Sequence, residues 1–208
     1  MVSCNPFESA PADGATRFIF VRHAQTDANA KHYLQGQSDG VLNETGWAQV
    51  ASLAGHLRPF LIDKVYSSDL KRAVDTATAI ANEHGLLVQT DPRLREWNCG
   101  DWDGMPAVDF RKMLKELGLK ASTIQPPNGE NFQQVRRRAE AVLDEIFSQS
   151  EGKSVLICSH GDILRSMIGV LMGVDVDAAE NILLDNASYS ILEKQQGTWK
   201  ILALNRIS

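Results

Sequence analysis

Short apolar runs alternate with amphipathic stretches along most of the chain. The runs at 17–21 (Arg-Phe-Ile-Phe-Val), 64–67, 86–89 and 154–158 (Ser-Val-Leu-Ile-Cys) are rich in strand formers and predict buried strands. Between them, apolar residues recur at helical spacing. One helix follows Asn43 as N-cap, with Trp47, Val50, Ala51, Ala54 and Leu57 on its inner face. A second follows Asp69 as N-cap, with Leu70, Ala73, Ala77, Ile80 and Ala81 inward. A third spans about 131–148, burying Val135, Ala139, Val142, Leu143 and Ile146. Residues 106–118 predict a helix closed by Gly118, and another helix starts near Asp162. Strands at 188–193 and 199–203 complete the pattern, and the polar stretch from the end of the first strand to Asn43 reads as loop.

Alternating strand and helix predicts an α/β fold: a three-layer sandwich with a mostly parallel central sheet flanked by helices. Residues from about 100 to 130 interrupt the alternation, carry Pro126, Pro127 and Gly129, and are expected to form a small insertion over the active site, at one end of the sheet. Residues 1–16 read as a flexible lead-in and 17–208 as a single domain.

Composition narrows the function classes. A formal net charge of -5 makes nucleic acid a poor partner. Any anion site must therefore gather its positive charge locally. Cys4, Cys99 and Cys158 form no CxxC pair, which argues against a disulfide framework or a zinc site and suits a reducing compartment. No apolar run reaches the length of a membrane span, and the N-terminal residues lack a signal-peptide pattern, so a cytoplasmic protein with no membrane partner is expected. The last strands leave an apolar edge through which a homodimer can be imagined, although nothing in the sequence requires it.

Two histidines share one setting. His23 ends the run Phe-Ile-Phe-Val-Arg-His, and His160 ends Val-Leu-Ile-Cys-Ser-His. Ligands of open α/β sheets bind beyond the carboxyl ends of the strands, where both residues fall. Taken singly, such a histidine is as well explained by a core hydrogen bond. Arg22, beside His23, and Arg72, just past another strand end, would add positive charge there, and arginine grips phosphate as a two-pronged donor. Each is otherwise an ordinary solvated charge. The backbone amides that start the helix after Gly161 offer an anion-binding end. Glu96 lies in Leu-Arg-Glu-Trp-Asn-Cys-Gly-Asp-Trp-Asp-Gly, where neighbouring tryptophans would raise its pKa toward that of a general acid. Asp101 and Asp103 compete for that role, and an ordinary loop carboxylate is the plainer alternative. Metal binding has little support, since neither HxH nor HExxH occurs.

At these residues the chain resembles the histidine phosphatase superfamily, the phosphoglycerate mutase-like family. The resemblance rests on Arg22-His23-Ala24-Gln25-Thr26 with Asn29, Leu42-Asn43-Glu44-Thr45-Gly46, and Ser67-Ser68-Asp69-Leu70-Lys71-Arg72-Ala73 with Thr76-Ala77. It continues through Leu94-Arg95-Glu96, Gly100 to Gly104, Gly129-Glu130 and Ser159-His160-Gly161. It implies that His23 is the nucleophile and carries phosphate during turnover. Arg22, Arg72 and His160 would hold the phosphoryl oxygens, with Asn29 and Gly161 as further substrate contacts. Glu96 would protonate the leaving oxygen, and neither metal nor other cofactor would be needed.

Two departures bear on the substrate. Ala24-Gln25 stands where relatives usually carry Gly-Glu, and Asp162 stands where a small neutral residue is frequent, so a negative charge is expected near the phosphate.

The segment between Arg72 and Glu96 is short and the region from Gly104 to Gly129 compact, unlike the glycolytic mutases of the family. This favours a phosphatase acting on a small phosphorylated metabolite, such as phosphoserine or a similar ester. The alternatives are a mutase using 2,3-bisphosphoglycerate and a non-catalytic phospho-ligand-binding relative. Asp185 to Ser190 resembles the tail of relatives acting on phosphoserine or ribazole phosphate, and reads equally as an Asn-containing turn before a strand. Tyr33, Leu34, Trp97, Trp102, Met105 and Phe110 are candidates to face the substrate, with packing as the competing explanation.

Overall fold

The structure, a computed structural model, describes residues 7–11 and 14–208. Its strands are β1 (Thr16–Arg22), β2 (Lys64–Ser67), β3 (Val88–Thr90), β4 (Ser154–Ser159), β5 (Tyr189–Gln195) and β6 (Thr198–Arg206). They form one six-stranded sheet in the order β3-β2-β4-β1-β5-β6. The pairings β3–β2, β2–β4 and β4–β1 are parallel, and β5 and β6 add antiparallel at one side. The helices are α1 (Asp27–Ala30), α2 (Glu44–Leu57), α3 (Lys71–Glu83), α4 (Ala107–Leu117), α5 (Phe132–Ser148), α6 (Gly161–Met172) and α7 (Val176–Ala179).

The pleat of β1 explains the three layers, because successive side chains leave a strand on opposite faces. Phe18 and Phe20 enter a core with Val135, Ala139 and Leu143 of α5 and Ile163 and Met167 of α6. Ile19 and Val21 enter a second core with Val50 and Leu53 of α2 and Ala73 and Ile80 of α3. A strand covered on both faces reads as one continuous apolar run, which is why β1 and β4 are so plain in the sequence. The parallel strands β1, β2 and β4 end on the same side of the sheet, and His23, Ser68 and His160 follow them there.

Several local expectations change. The strand expected at 86–89 lies at Val88–Thr90, because Leu86 N–H closes the end of α3 on Ala81 C=O and Leu87 is exposed. The inner face of α2 carries Val50, Leu53, Ala54 and Leu57, whereas Trp47 and Ala51 face outward. Asp69 does not cap α3. Leu70 is its N-cap, and the Asp69 carboxylate instead accepts two bonds from Arg95, at 2.7 and 2.6 Å. The stretch read as loop before Asn43 contains α1, closed by a capping box between Thr26 and Asn29.

Of the N-terminal lead-in, residues 1–6 and 12–13, Cys4 among them, lie outside the described residues. Phe7 packs on Phe60, with ring centroids 5.4 Å apart, and accepts a backbone bond from Leu61. The segment around 100–130 holds α4 and two short 3-10 turns. It is tied to the loop after α1 by Leu34 N–H to Met105 C=O, Gly104 N–H to Leu34 C=O and Ala107 N–H to His32 C=O. Gly100 at its start has φ +52, and a Cβ there would run into the Pro127 carbonyl, so only glycine fits this close approach. No helix among the described residues is long and apolar enough to cross a membrane.

One ion pair is buried within the sheet. Arg17 Nη2 meets Glu193 Oε2 at 2.7 Å, with the two side chains 4% and 2% exposed. Stripping the carboxylate from a buried guanidinium typically costs about 3 kcal/mol or more. Glu193→Ala is therefore expected to lower the unfolding free energy by about 3 kcal/mol in urea titrations. A loss under about 1 kcal/mol, the scale of an exposed pair, would show that water reaches this site.

Candidate active site

At the carboxyl ends of β1 and β4 the two histidine rings lie 5.0 Å apart, centroid to centroid. His23 Nδ1 is 2.7 Å from the carbonyl oxygen of Ala24. A carbonyl can only accept, so the ring proton sits on Nδ1 and Nε2 keeps its lone pair. Burial, and then the Arg72 and Arg22 guanidinium groups, hold the His23 pKa well below the usual histidine value, so the ring is neutral near pH 7. Neutral, desolvated and fixed in one tautomer, it has the form a nucleophilic imidazole needs.

Arg22 comes from the last position of β1. Its Nη1 donates to Leu184 C=O at 2.7 Å, while its buried Nε has no hydrogen-bond partner among the described residues. A buried guanidinium N–H without a partner is costly unless a ligand completes it. The backbone beneath is braced by Asn186, which donates from Nδ2 to His23 C=O and Asn29 Oδ1, both at 3.1 Å. The stretch from Asp185 to Ser190 is thus a turn that runs into β5 and carries one bracing amide, with Ala187 at φ +55.

Arg72 and His160 stand behind His23. Arg72 is fully buried, with Nη1 donating to Ser38 C=O, Nη2 to Gly36 C=O and Nε to His160 Nδ1, at 2.9, 2.7 and 3.2 Å. Because His160 Nδ1 accepts, its proton lies on Nε2 and is donated to Ser68 Oγ at 2.8 Å. Burial, Arg72 and His23 keep His160 neutral as well. Both residues thus adjoin His23 with several of their donors committed to protein partners. Ser68, which sequence reasoning did not single out, sets the His160 tautomer.

Glu96 is fixed by its loop and by the start of α6. Arg138 donates to the carbonyls of Arg93, Arg95 and Glu96 and pairs with Glu130, so the loop is fixed from α5. The Glu96 carboxyl accepts from the backbone N–H of Trp97, Asp162 and Ile163. The amides at the start of α6, expected to offer an anion site, are therefore occupied by Glu96. Burial and the nearby Asp162 carboxylate raise the Glu96 pKa to about 7 despite these bonds and the two arginines. Burial, the effect the apolar surroundings predict, is the larger cause, and the like charge of Asp162 adds to it; Trp97 itself packs flat on Phe132 at 4.8 Å.

Arg22, His23 and Glu96 face one cavity of about 130 Å³, lined also by Asn29, Gly161 and Arg165 among others, whereas Arg72 and His160 do not reach its wall. Of the aromatic and apolar candidates, Tyr33, Leu34 and Trp97 reach its wall, whereas Trp102 and Phe110 pack against Trp97 and each other. Asp162 also reaches the wall, but its charge is matched by Arg165, with Nη1 to Oδ1 at 2.5 Å. Sequence reasoning missed Arg165, because an Asp and an Arg three apart on a helix read as a surface pair. Gln25 lies away from the cavity wall and accepts from Asn43 Nδ2. Among the described residues no group of three or more His, Cys, Asp or Glu side chains is gathered to hold a metal ion.

Known proteins resemble this chain over most of its length. The family model "Histidine phosphatase superfamily (branch 1)" matches residues 18–207. The protein named "Probable phosphoglycerate mutase GpmB" from Yersinia pestis (strain Pestoides F) is 34% identical over 183 residues, covering 86% of this chain and 85% of its own length. Among solved structures, "Mycobacterial hydrolase 1" superposes with a TM-score of 0.86 at 28% identity, covering 93% of this chain and 100% of its own. A mycobacterial glucosyl-3-phosphoglycerate phosphatase, Rv2419c, superposes with a TM-score of 0.83 at 29% identity, covering 92% and 99%.

Proposed function

The chain belongs to the histidine phosphatase superfamily, and from that premise we propose that it is a metal-independent phosphomonoesterase acting on a small phosphorylated metabolite through a phosphohistidine at His23. The observation that carries the reading is the convergence of a neutral His23, the unpartnered Arg22 Nε and the raised carboxyl of Glu96 on one cavity of about 130 Å³. In the first step His23 Nε2 attacks phosphorus, the P–O ester bond breaks, and Glu96 gives its proton to the departing oxygen. In the second, the Glu96 carboxylate takes a proton from water, the water oxygen attacks phosphorus, and the P–N bond breaks. The electron pair returns to Nε2 and inorganic phosphate leaves. Arg22 balances the charge on the transferring group. Arg72, with a second N–H on each terminal nitrogen, supports it from behind, oriented by His160.

A mutase is the second reading, favoured by the name of the Yersinia pestis relative. It would pass the phosphate on His23 to a second hydroxyl in place of water. A panel of phosphorylated metabolites, phosphoserine included, assayed for released phosphate with and without EDTA, tests both. Release from at least one ester at equal rates in the two conditions is expected. Isomerisation dependent on 2,3-bisphosphoglycerate with negligible phosphate release would replace the hydrolase by the mutase, and loss of activity in EDTA would overturn metal independence.

The role of Glu96 predicts a pH profile. A general acid must be protonated, and its protonated fraction falls as pH rises through about 7. Turnover of alkyl phosphates, which have poor leaving groups, should decline on the alkaline side of that value. On the acid side formation of the phosphohistidine should hold until well below the usual histidine pKa, because His23 resists protonation, while its hydrolysis, which needs the Glu96 carboxylate, should slow below about 7. Glu96→Gln should slow alkyl phosphates by about a hundredfold or more and p-nitrophenyl phosphate far less. Equal losses on both would remove Glu96 from the acid role.

A further inference from the structure

Glu96 stands in a stretch with no regular hydrogen-bond ladder of its own. From Asp91 to Asp103 the chain makes only two short 3-10 turns, Pro92–Leu94 and Gly100–Trp102, and Glu96 lies between them. A proton donor works only if it is aimed to within about half an ångström, and irregular backbone does not supply that aim by itself. One guanidinium supplies most of it. Arg138 of α5 has five N–H groups and uses all five. Nη1 donates to Arg93 C=O and Arg95 C=O, both at 2.7 Å. Nη2 donates to Glu96 C=O at 3.2 Å and to Glu130 Oε2 at 2.8 Å, and Nε donates to Glu130 Oε1 at 3.1 Å. Glu130 in turn grips the far side of the acid. Its Oε2 accepts from Asn98 N–H at 3.0 Å, its own N–H donates to Asn98 C=O at 2.9 Å, and its carbonyl accepts from Trp97 Nε1 at 2.5 Å. The pair thus brackets Glu96 from residue 93 to residue 98. Leu94 C=O, the carbonyl that Arg138 skips, accepts from Ser159 Oγ at 2.6 Å.

We propose that Arg138 and Glu130 are positioning residues for the general acid: neither side chain reaches the wall of the catalytic cavity, yet together they set where the Glu96 carboxyl stands against the leaving oxygen. This rests on the reading of Glu96 as the proton donor. The amides of Asp162 and Ile163 hold the carboxyl itself, and the pair keeps the backbone of the loop close enough for those bonds to form. With the pair broken, the carboxyl draws away from α6 and from the leaving oxygen together. Lysine cannot take the place of Arg138, because three N–H groups on one point cannot span three carbonyls and a carboxylate. A pair that only stabilised the fold would slow every ester alike or none. A pair that aims Glu96 slows those esters whose leaving oxygen needs a proton.

The test is a set of single turnovers with enzyme in excess, quenched on the millisecond scale to read transfer of phosphate to His23, the step in which Glu96 acts as the acid. Two esters are compared: the alkyl phosphate cleaved fastest in the metabolite panel, and p-nitrophenyl phosphate, whose leaving group departs without a proton. Arg138→Met should slow the alkyl ester about tenfold to a hundredfold and p-nitrophenyl phosphate by less than about threefold. Arg138→Lys keeps the charge and most of the length, so it reads the same effect if the methionine variant does not fold. It should slow the alkyl ester by about threefold or more and leave p-nitrophenyl phosphate near the parent rate. In a Glu96→Gln background Arg138→Lys should cost less than about threefold further, since nothing is left to aim. Equal losses on the two esters, an alkyl rate within about threefold of the parent in Arg138→Lys, or a larger further loss in the Glu96→Gln background overturns the assignment. Glu96→Gln alone separates the two levels. If it slows both esters equally, the acid reading fails and the inference with it; if it shows the split and the Arg138 variants do not, only the inference fails.

Discussion

The His23→Ala protein is expected to release no measurable phosphate and to take no label from a radioactive phosphate ester. Deleting the nucleophile of a cooperating catalytic unit removes about four orders of magnitude or more from turnover, far beyond the loss of any single positioning contact. Here the ring on the cavity wall keeps a free lone pair on Nε2 in a neutral, desolvated state, whereas His160 commits both nitrogens to Arg72 and Ser68. The parent enzyme, quenched during turnover, should carry label that is lost in acid and kept in base, as a phosphoramidate bond behaves. His23→Asn, which can still donate to the Ala24 carbonyl, should be as inactive as the alanine variant, showing that the ring and not its hydrogen bond is essential. Thermal unfolding close to that of the parent would confirm that the loss is chemical. Phosphate release within tenfold of the parent, or label retained on another residue, would exclude His23 as the nucleophile.

How much of this was legible beforehand depends on how local the controlling physics is. Asn43 and Asn131 cap their helices through bonds to amides three residues on, and such bonds can be read from sequence. Gly118 ends α4 at φ +63 for the same local reason. Asp69 looked equally suited to capping, but Arg95, far along the chain, holds its carboxylate, and no window around residue 69 shows that competitor. The buried parallel strands were plain because both faces are apolar. β3 was displaced because its residues are half-buried or exposed and carry little pattern. At the site, His23, His160, Arg22 and Glu96 were marked by strand ends and motif. Their roles came only with the family resemblance, and which of their donors are already spent on protein partners was not legible. The occupation of the α6 amides by Glu96, the Asn186 brace and the grip of Arg138 on the Glu96 loop all arise from contacts between distant segments.

Arg22→Met is expected to lower kcat/KM by about a hundredfold to a thousandfold, the range seen when one pre-aimed donor to a developing charge is removed. The size follows from where the group sits. Its Nε is buried without a partner among the described residues, so the site has already met the cost of desolvating a guanidinium, and a phosphoryl group recovers that cost when it binds. Arg22→Lys should restore little. An ammonium carries the same charge, but it is a point donor that cannot bond both Leu184 C=O and a phosphoryl oxygen in the geometry of the fork. Arg72→Met makes the contrast. It strips donors from Gly36 C=O, Ser38 C=O and His160 Nδ1 in a fully buried place, so it should cost stability as well as rate. A variant at position 22 that keeps its melting temperature while losing turnover, beside one at 72 that loses both, would separate the phosphate clamp from the scaffold behind it. If Arg22→Met retained turnover within threefold, the Arg22 Nε would not be the anion contact, and the charge on the transferring group would have to be met by Arg72 or Arg165.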